Sequence, residues 1–194
     1  MFIEKSSQKG STIGQIEVIC GSMFSGKTEE LIRRIRRAEL AKQKVMLFKP
    51  LIDQRYSREN IVSHDANKWH SVAISHSLDI LHQVEEPVVV GIDEAQFFDE
   101  DIIEVCKRLA NIGCRVIIAG LDMDYLGRPF GPMPALMAIA DYVNKLQAVC
   151  MQCGSLAHFT HRISKEETLL LTGEKDKYEP LCRNCYNSVN KKNI

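Results

Sequence analysis

Neither sign of charge is in excess in this chain: 25 lysines and arginines balance 25 aspartates and glutamates over 194 residues. No global field therefore draws it toward nucleic acid or an acidic membrane, although a local basic patch stays open. Long hydrophobic runs are missing as well. Met1 to Thr12 is polar and lacks an apolar stretch of signal-peptide length, and no later stretch is long enough to cross a bilayer. The expected setting is the cytoplasm, with neither membrane nor nucleic acid as partner. The seven cysteines are odd in number, and in a compartment that keeps thiols reduced they are no disulfide framework. Internal repeats, low-complexity tracts and long linkers are absent from the sequence. Its length suits one core domain with a small appendage.

What is present begins with Gly21-Ser22-Met23-Phe24-Ser25-Gly26-Lys27-Thr28, which fits G-x-x-x-x-G-K-[ST] at every specified position. A β-like run, Ile16 to Cys20, precedes it and a helix-like stretch, Thr28 to Ala41, follows. In that context the glycines let backbone N–H groups face a polyphosphate at a helix N-terminus. Lys27 can reach the β and γ oxygens, and Thr28 can offer a hydroxyl to Mg²⁺. The helix-like stretch has apolar Leu31, Ile35 and Ala38, and its Arg33, Arg34, Arg36 and Arg37 read as a solvated face.

The cysteines sort by position. Cys20, Cys106 and Cys114 lie singly in apolar segments and read as small buried thiols. Cys150-Met151-Gln152-Cys153 and Cys182-Arg183-Asn184-Cys185 are two C-x-x-C pairs, each able to present two thiolates to one tetrahedral metal. Four thiolates leave no open coordination position, so the metal expected is a structural Zn²⁺. It would clamp the base of an excursion from Gly154 to Leu181, a loop tied at both ends as a lid would be. His64, His70, His76, His82, His158 and His161 show no ligand spacing among themselves.

Short apolar runs alternate with amphipathic stretches, as in βαβ units, which predicts a parallel sheet. The expected strands are Ile16 to Cys20, Lys44 to Lys49, Pro87 to Ile92, Cys114 to Ala119 and Val143 to Val149. Asp99 is expected to cap a helix running to about Ala110, and Pro134 to Ala140 to form another. The third strand ends in Asp93-Glu94, where a P-loop fold holds Mg²⁺ by a carboxylate, here Asp93. Glu94 could then point into the substrate cleft and take a proton from an attacking hydroxyl, or orient water in an ATPase. The sequence argues against a GTPase, because the nearest match to the guanine reader, Asn144-Lys145-Leu146-Gln147, lacks its final aspartate and lies in a strand-like stretch. A small-molecule kinase fits best. A zinc-containing P-loop ATPase that binds nucleic acid or protein, and a regulatory nucleotide-binding module, remain as alternatives.

The Gly21 to Thr28 loop, the block Ile92-Asp93-Glu94-Ala95-Gln96-Phe97-Phe98, and the paired cysteines flanking Asp176-Lys177-Tyr178 together resemble the type II thymidine kinases, over about Gly14 to Tyr186. That resemblance implies an α/β fold, a RecA-like P-loop core over residues 14–149 with a small zinc-binding lasso domain over 150–186. Flexible tails at 1–13 and 187–194 complete the expected organisation. It implies transfer of the ATP γ-phosphoryl group, with Mg²⁺, to the 5′-hydroxyl of thymidine or deoxyuridine. Glu94 matches the general base, while Gly21 to Thr28, Asp93 and Gln96 match the nucleotide site. Met23, Phe97, Tyr125, Arg162 and Tyr178 match positions at the nucleoside, and Leu169, Leu170, Leu171, Thr172 and Gly173 match the lasso backbone that binds the thymine. Asp53 and Arg55 match a D-x-R segment of the family within the polar stretch Asp53 to Trp69. A homotetramer and feedback inhibition by thymidine triphosphate are further implications of the resemblance.

Overall fold

Along Gln15–Gly21 the side chains alternate between two apolar layers, because successive residues of a strand face opposite sides of its sheet. The computed structural model describes residues 14–51, 60–62, 68–86, 88–163 and 177–191. Its elements run β1 (Gln15–Gly21), α1 (Lys27–Leu40), β2 (Val45–Pro50), β3 (Asn60–Val62), β4 (Lys68–His70), β5 (Val72–Ile74), α2 (Asp79–Gln83) and β6 (Val89–Ile92). A single 3₁₀ turn (Ala95–Phe97), α3 (Ile102–Asn111), β7 (Arg115–Gly120), α4 (Met133–Ile139) and β8 (Tyr142–Leu146) complete the core. The chain ends in β9 (Ala148–Val149), β10 (Leu156–Ala157), β11 (Phe159–Arg162), β12 (Tyr178–Leu181) and α5 (Arg183–Lys191).

Six strands form one sheet in the order β5-β2-β6-β7-β1-β8, every pairing parallel. Its central strands β6 and β7 are apolar and buried on both faces, as helices on both sides require, while the edge strand β8 is largely exposed. On one face Ile16, Val18 and Cys20 join Ile102, Val105, Cys106 and Leu109 of α3 and Met133 and Leu136 of α4. On the other, Ile19, Ile117 and Ala119 receive Leu31, Ile32, Ile35 and Ala38 of α1. α1 is otherwise polar, so this stripe holds it: each large aliphatic side chain buried contributes about 2 kcal/mol. A third cluster, Ala148, Cys150, Ala157, Phe159, Leu181 and Tyr186, forms the heart of the C-terminal unit. The antiparallel pairs β9–β10 and β11–β12 frame it.

Three details depart from the sequence expectations. Arg34 is not on a solvated face; it is 2% exposed, beside a fully buried Glu17. Its Nη1 donates to Glu17 Oε2 at 2.7 Å and its Nε to Glu30 Oε1 at 2.8 Å, while Arg115 Nε reaches Glu17 Oε1 at 2.6 Å. α3 starts at Ile102, three residues after Asp99, and the Asp99 carboxylate takes a backbone hydrogen bond from Asp101 in the leading turn and, outside the helix, the Ser77 amide at 3.0 Å. The run Val143 to Val149 is divided, with β8 in the core sheet and β9 in the C-terminal unit. α5 continues to Lys191, where a frayed end was expected. No helix among the described residues is long and apolar enough to cross a membrane.

Candidate active site and tetracysteine centre

Parallel pairing sends the C-terminal ends of β1, β6 and β7 to one edge of the sheet, the edge at which open α/β sheets bind ligands. β1 runs into Gly21, whose φ of +142° and close approach to the Leu146 carbonyl admit no side chain. The loop then curls so tightly that Phe24 itself takes a left-handed conformation, φ +63°. Lys27 Nζ and Ser25 Oγ both donate to the Ser22 carbonyl, at 2.7 and 2.8 Å. Ser22 Oγ is buried with no hydrogen-bond partner among the described atoms. An orphaned hydroxyl, a folded-back ammonium and the N-terminus of α1 together suit a polyphosphate.

Asp93 follows β6 and is 6% exposed. Thr28 Oγ1 donates to Asp93 Oδ2 at 3.2 Å, so a hydroxyl and a carboxylate meet where a hard cation such as Mg²⁺ would take oxygen ligands. Asp93 Oδ1 also accepts the Glu94 amide, at 3.0 Å. Glu94 has φ +53°, an uncommon conformation for a side-chain-bearing residue, just beyond the end of β6. Gln96 is 3% exposed; its Nε2 donates to Glu94 Oε2 at 2.5 Å and its Oε1 accepts the Leu121 amide at 2.9 Å. Phe97 stands edge-on to Phe130, ring centres 5.6 Å apart.

Of the expected nucleoside residues, Arg162 and Tyr178 lie on the C-terminal unit, Tyr125 in the loop after β7 and Met23 in the phosphate loop, while Phe97 stays in the turn after β6. In the β11–β12 register Arg162 lies opposite Tyr178. Arg162 Nη2 donates to the Tyr178 hydroxyl at 2.7 Å, and its guanidinium carbon sits 3.7 Å from the Tyr125 ring centre. Two residues before Arg162, buried Thr160 accepts the Met23 amide at 3.0 Å, and Phe24 packs against the third apolar cluster. The phosphate loop and the strand bearing Arg162 are thus hydrogen-bonded directly. Sequence reasoning missed Thr160; its signal is the alternation in Phe159-Thr160-His161-Arg162, which puts it on one face with Arg162. Leu169, Leu170, Leu171, Thr172, Gly173, Asp53 and Arg55 lie outside the described residues.

Cys150 and Cys153 sit in the turn after β9, where Cys150 N donates to Ser155 O at 2.7 Å and Gly154 N to Cys150 O at 2.9 Å. Cys182 immediately precedes α5 and Cys185 lies in its first turn. All four Sγ atoms lie within 4.8 Å of one another, and Cys153 and Cys182 are 3.6 Å apart. Zn–S bonds of about 2.3 Å in a tetrahedron put sulfurs about 3.8 Å apart, so this cluster fits zinc. The charges agree. Hydrogen bonds from the Ser155 hydroxyl and amide hold Cys153 down at about 6, while hydrogen-bonding to Cys182 and Cys153 pushes Cys185 up to about 12. Four sulfurs this close cannot all ionise without a cation among them.

Residues 14–186 match the family model described as thymidine kinase. The chain is similar to a thymidine kinase of Bacteroides thetaiotaomicron, 59% identical over 186 residues that cover 96% of this chain and 94% of the relative. It is 54% identical to a thymidine kinase of Rhodothermus sp. over 91% of this chain and 83% of that one. A Porphyromonas gingivalis thymidine kinase is also 54% identical, over 95% of this chain and 90% of its own. With a phosphate loop, an Asp-Glu strand end and a four-cysteine centre in one frame, and a family match over most of its length, the chain belongs to the thymidine kinase family.

Proposed function

We propose that this chain transfers the γ-phosphoryl group of ATP to the 5′-hydroxyl of thymidine, and of deoxyuridine less selectively, as a salvage step supplying DNA synthesis. The observation that carries the proposal is Glu94. It is set by its backbone and by Gln96 at the same sheet edge as the phosphate loop, one residue beyond the Thr28–Asp93 pair.

In this reading the loop amides from Gly21 to Thr28 and Lys27 hold the polyphosphate, and Glu94 takes the proton of the attacking 5′-hydroxyl. Thr28 and Asp93 would hold Mg²⁺, which supplies charge neutralisation on the phosphate oxygens. Arg162, locked between Tyr125 and Tyr178, shapes the nucleoside side, and Met23 and Phe97 are read as further nucleoside contacts. Binding the thymine through backbone groups at Leu169 to Gly173 suits an imide edge, where an unmatched buried group is costly. Cys150, Cys153, Cys182 and Cys185 hold structural zinc at the base of that loop. The reading extends to a cytoplasmic homotetramer inhibited by thymidine triphosphate, a molecule that carries both the nucleoside and a triphosphate.

The test is Mg²⁺-dependent ADP release from ATP with thymidine, deoxycytidine, deoxyadenosine, single-stranded DNA or no acceptor, with the product identified. Rapid turnover with thymidine alone, giving its 5′-monophosphate, is expected. Turnover driven by DNA, or equal with nothing added, would make the chain an ATPase and overturn the proposal.

A further inference from the structure

Gln96 was expected at the nucleotide, yet its amide is committed inside the protein. Nε2 reaches the Glu94 carboxylate after β6, and Oε1 takes the Leu121 amide after β7, so one side chain spans two neighbouring strand ends. The Leu121 N–H can be met only by the oxygen end of the amide, which leaves the nitrogen end, a donor, for the carboxylate. Space for the arm is cleared by two glycines. A Cβ on Gly120 would come within 2.9 Å of Gln96 Oε1, and one on Gly131 would collide with the Gln96 carbonyl. The edge-on contact of Phe97 with Phe130 braces the far end of the same turn. Together these fix the segment from Glu94 to Phe97 from both sides.

We propose that Gln96 is a positioning residue for the transfer: its buried amide aims the Glu94 carboxylate at the acceptor hydroxyl and does not itself grip the nucleotide. This rests on the kinase reading of Glu94. A base works only within hydrogen-bond reach of its proton, and displacement of about 1 Å can cost on the order of 100-fold in rate. Gln96 therefore acts on kcat through Glu94 and leaves the grip on ATP to the loop.

The experiment compares Gln96→Glu with Gln96→Met. The first keeps size and the acceptor for Leu121 but offers no donor to Glu94; the second removes both bonds. For each, kcat, the KM values for ATP and thymidine, and the melting temperature are measured beside the wild type. The expected result is a fall in kcat of at least about 10-fold with both KM values within about twofold. If Gln96→Met fails to fold because the Leu121 amide loses its partner, Gln96→Glu carries the test. A double-mutant cycle gives the readout that a purely structural role would not move. In a Glu94→Gln background, where no base is left to aim, Gln96→Glu should change the residual rate less than about twofold. An equal loss in both backgrounds, a kcat within twofold of wild type, or a raised KM for ATP at unchanged kcat would each overturn the inference while the kinase reading stands. A wild-type protein without thymidine-dependent turnover would remove both.

Discussion

Replacing Glu17 by Gln should lower the melting temperature by about 6–12 °C. Glu17 is fully buried and its two oxygens accept from Arg34 and Arg115. Burial alone would raise its carboxyl, but the hydrogen bonds and charge of Arg115, then of Arg34, outweigh that and hold it below its usual 4.5. Removing one member of such a buried pair costs about 3–5 kcal/mol. Arg34 retains Glu30 at 2.8 Å, which argues for the lower figure. At about 2–4 °C per kcal/mol for a chain of this size, about 3 kcal/mol gives the stated range. The assay is thermal melting followed by far-ultraviolet circular dichroism at one fixed protein concentration. Because the folded carboxyl titrates lower than the unfolded one, the stabilisation is fully present above pH 4.5 and is lost as pH falls through the depressed value. The gap between wild type and variant should therefore be constant from neutral pH down to about 5 and close below it. The double replacement Glu17→Leu with Arg34→Leu should regain only part of the loss, since it leaves no unmatched charge on α1 but takes from Arg115, 12% exposed, the carboxylate it binds. A single-variant shift below about 2 °C at neutral pH, less than 1 kcal/mol on this scale, would refute the reasoning.

Glu94→Gln should keep fold and ATP binding while turnover falls by about 10²–10⁴-fold, measured as thymidine-dependent ADP release; an unchanged rate would remove Glu94 as base. Cys153→Ser should lower bound zinc per chain, read by elemental analysis, and raise the KM for thymidine; full zinc occupancy with normal thymidine affinity would contradict the clamp. Gly131→Ala should destabilise by about 1–3 kcal/mol, because residue 131 has φ +48° and its new Cβ would strike the Gln96 carbonyl. Its kcat should fall along with that of the Gln96 variants, which steady-state kinetics on the folded variant will test.

The parts of the site legible in the sequence are those in which neighbours in the chain are also neighbours in space. Gly21 to Thr28 is one turn between one strand and one helix, and its glycine spacing alone states its shape. The cysteine pairs are local too, each held in a single turn. Arg34 was misjudged for the opposite reason. Its turn positions, three residues after Leu31 and four before Ala38, put it in the apolar stripe of α1, but the carboxylate that stabilises it there belongs to β1. Gln96 likewise depends on β6 and β7 lying side by side, which no local pattern announces. The run from Val143 to Val149 mixes apolar and polar residues on both sides of Gln147, so its break there could not be read from hydropathy.

The Met23–Thr160 hydrogen bond and the seat of Phe24 have a consequence for building chimeras of this protein. A C-terminal unit grafted from elsewhere could carry an intact set of four cysteines and still leave a phosphate-loop amide without its acceptor and an aromatic ring without its floor. A successful graft therefore has to import a hydroxyl at position 160 and an apolar bed beneath position 24. The seam that tolerates recombination runs behind the phosphate loop, not at the linker after β8.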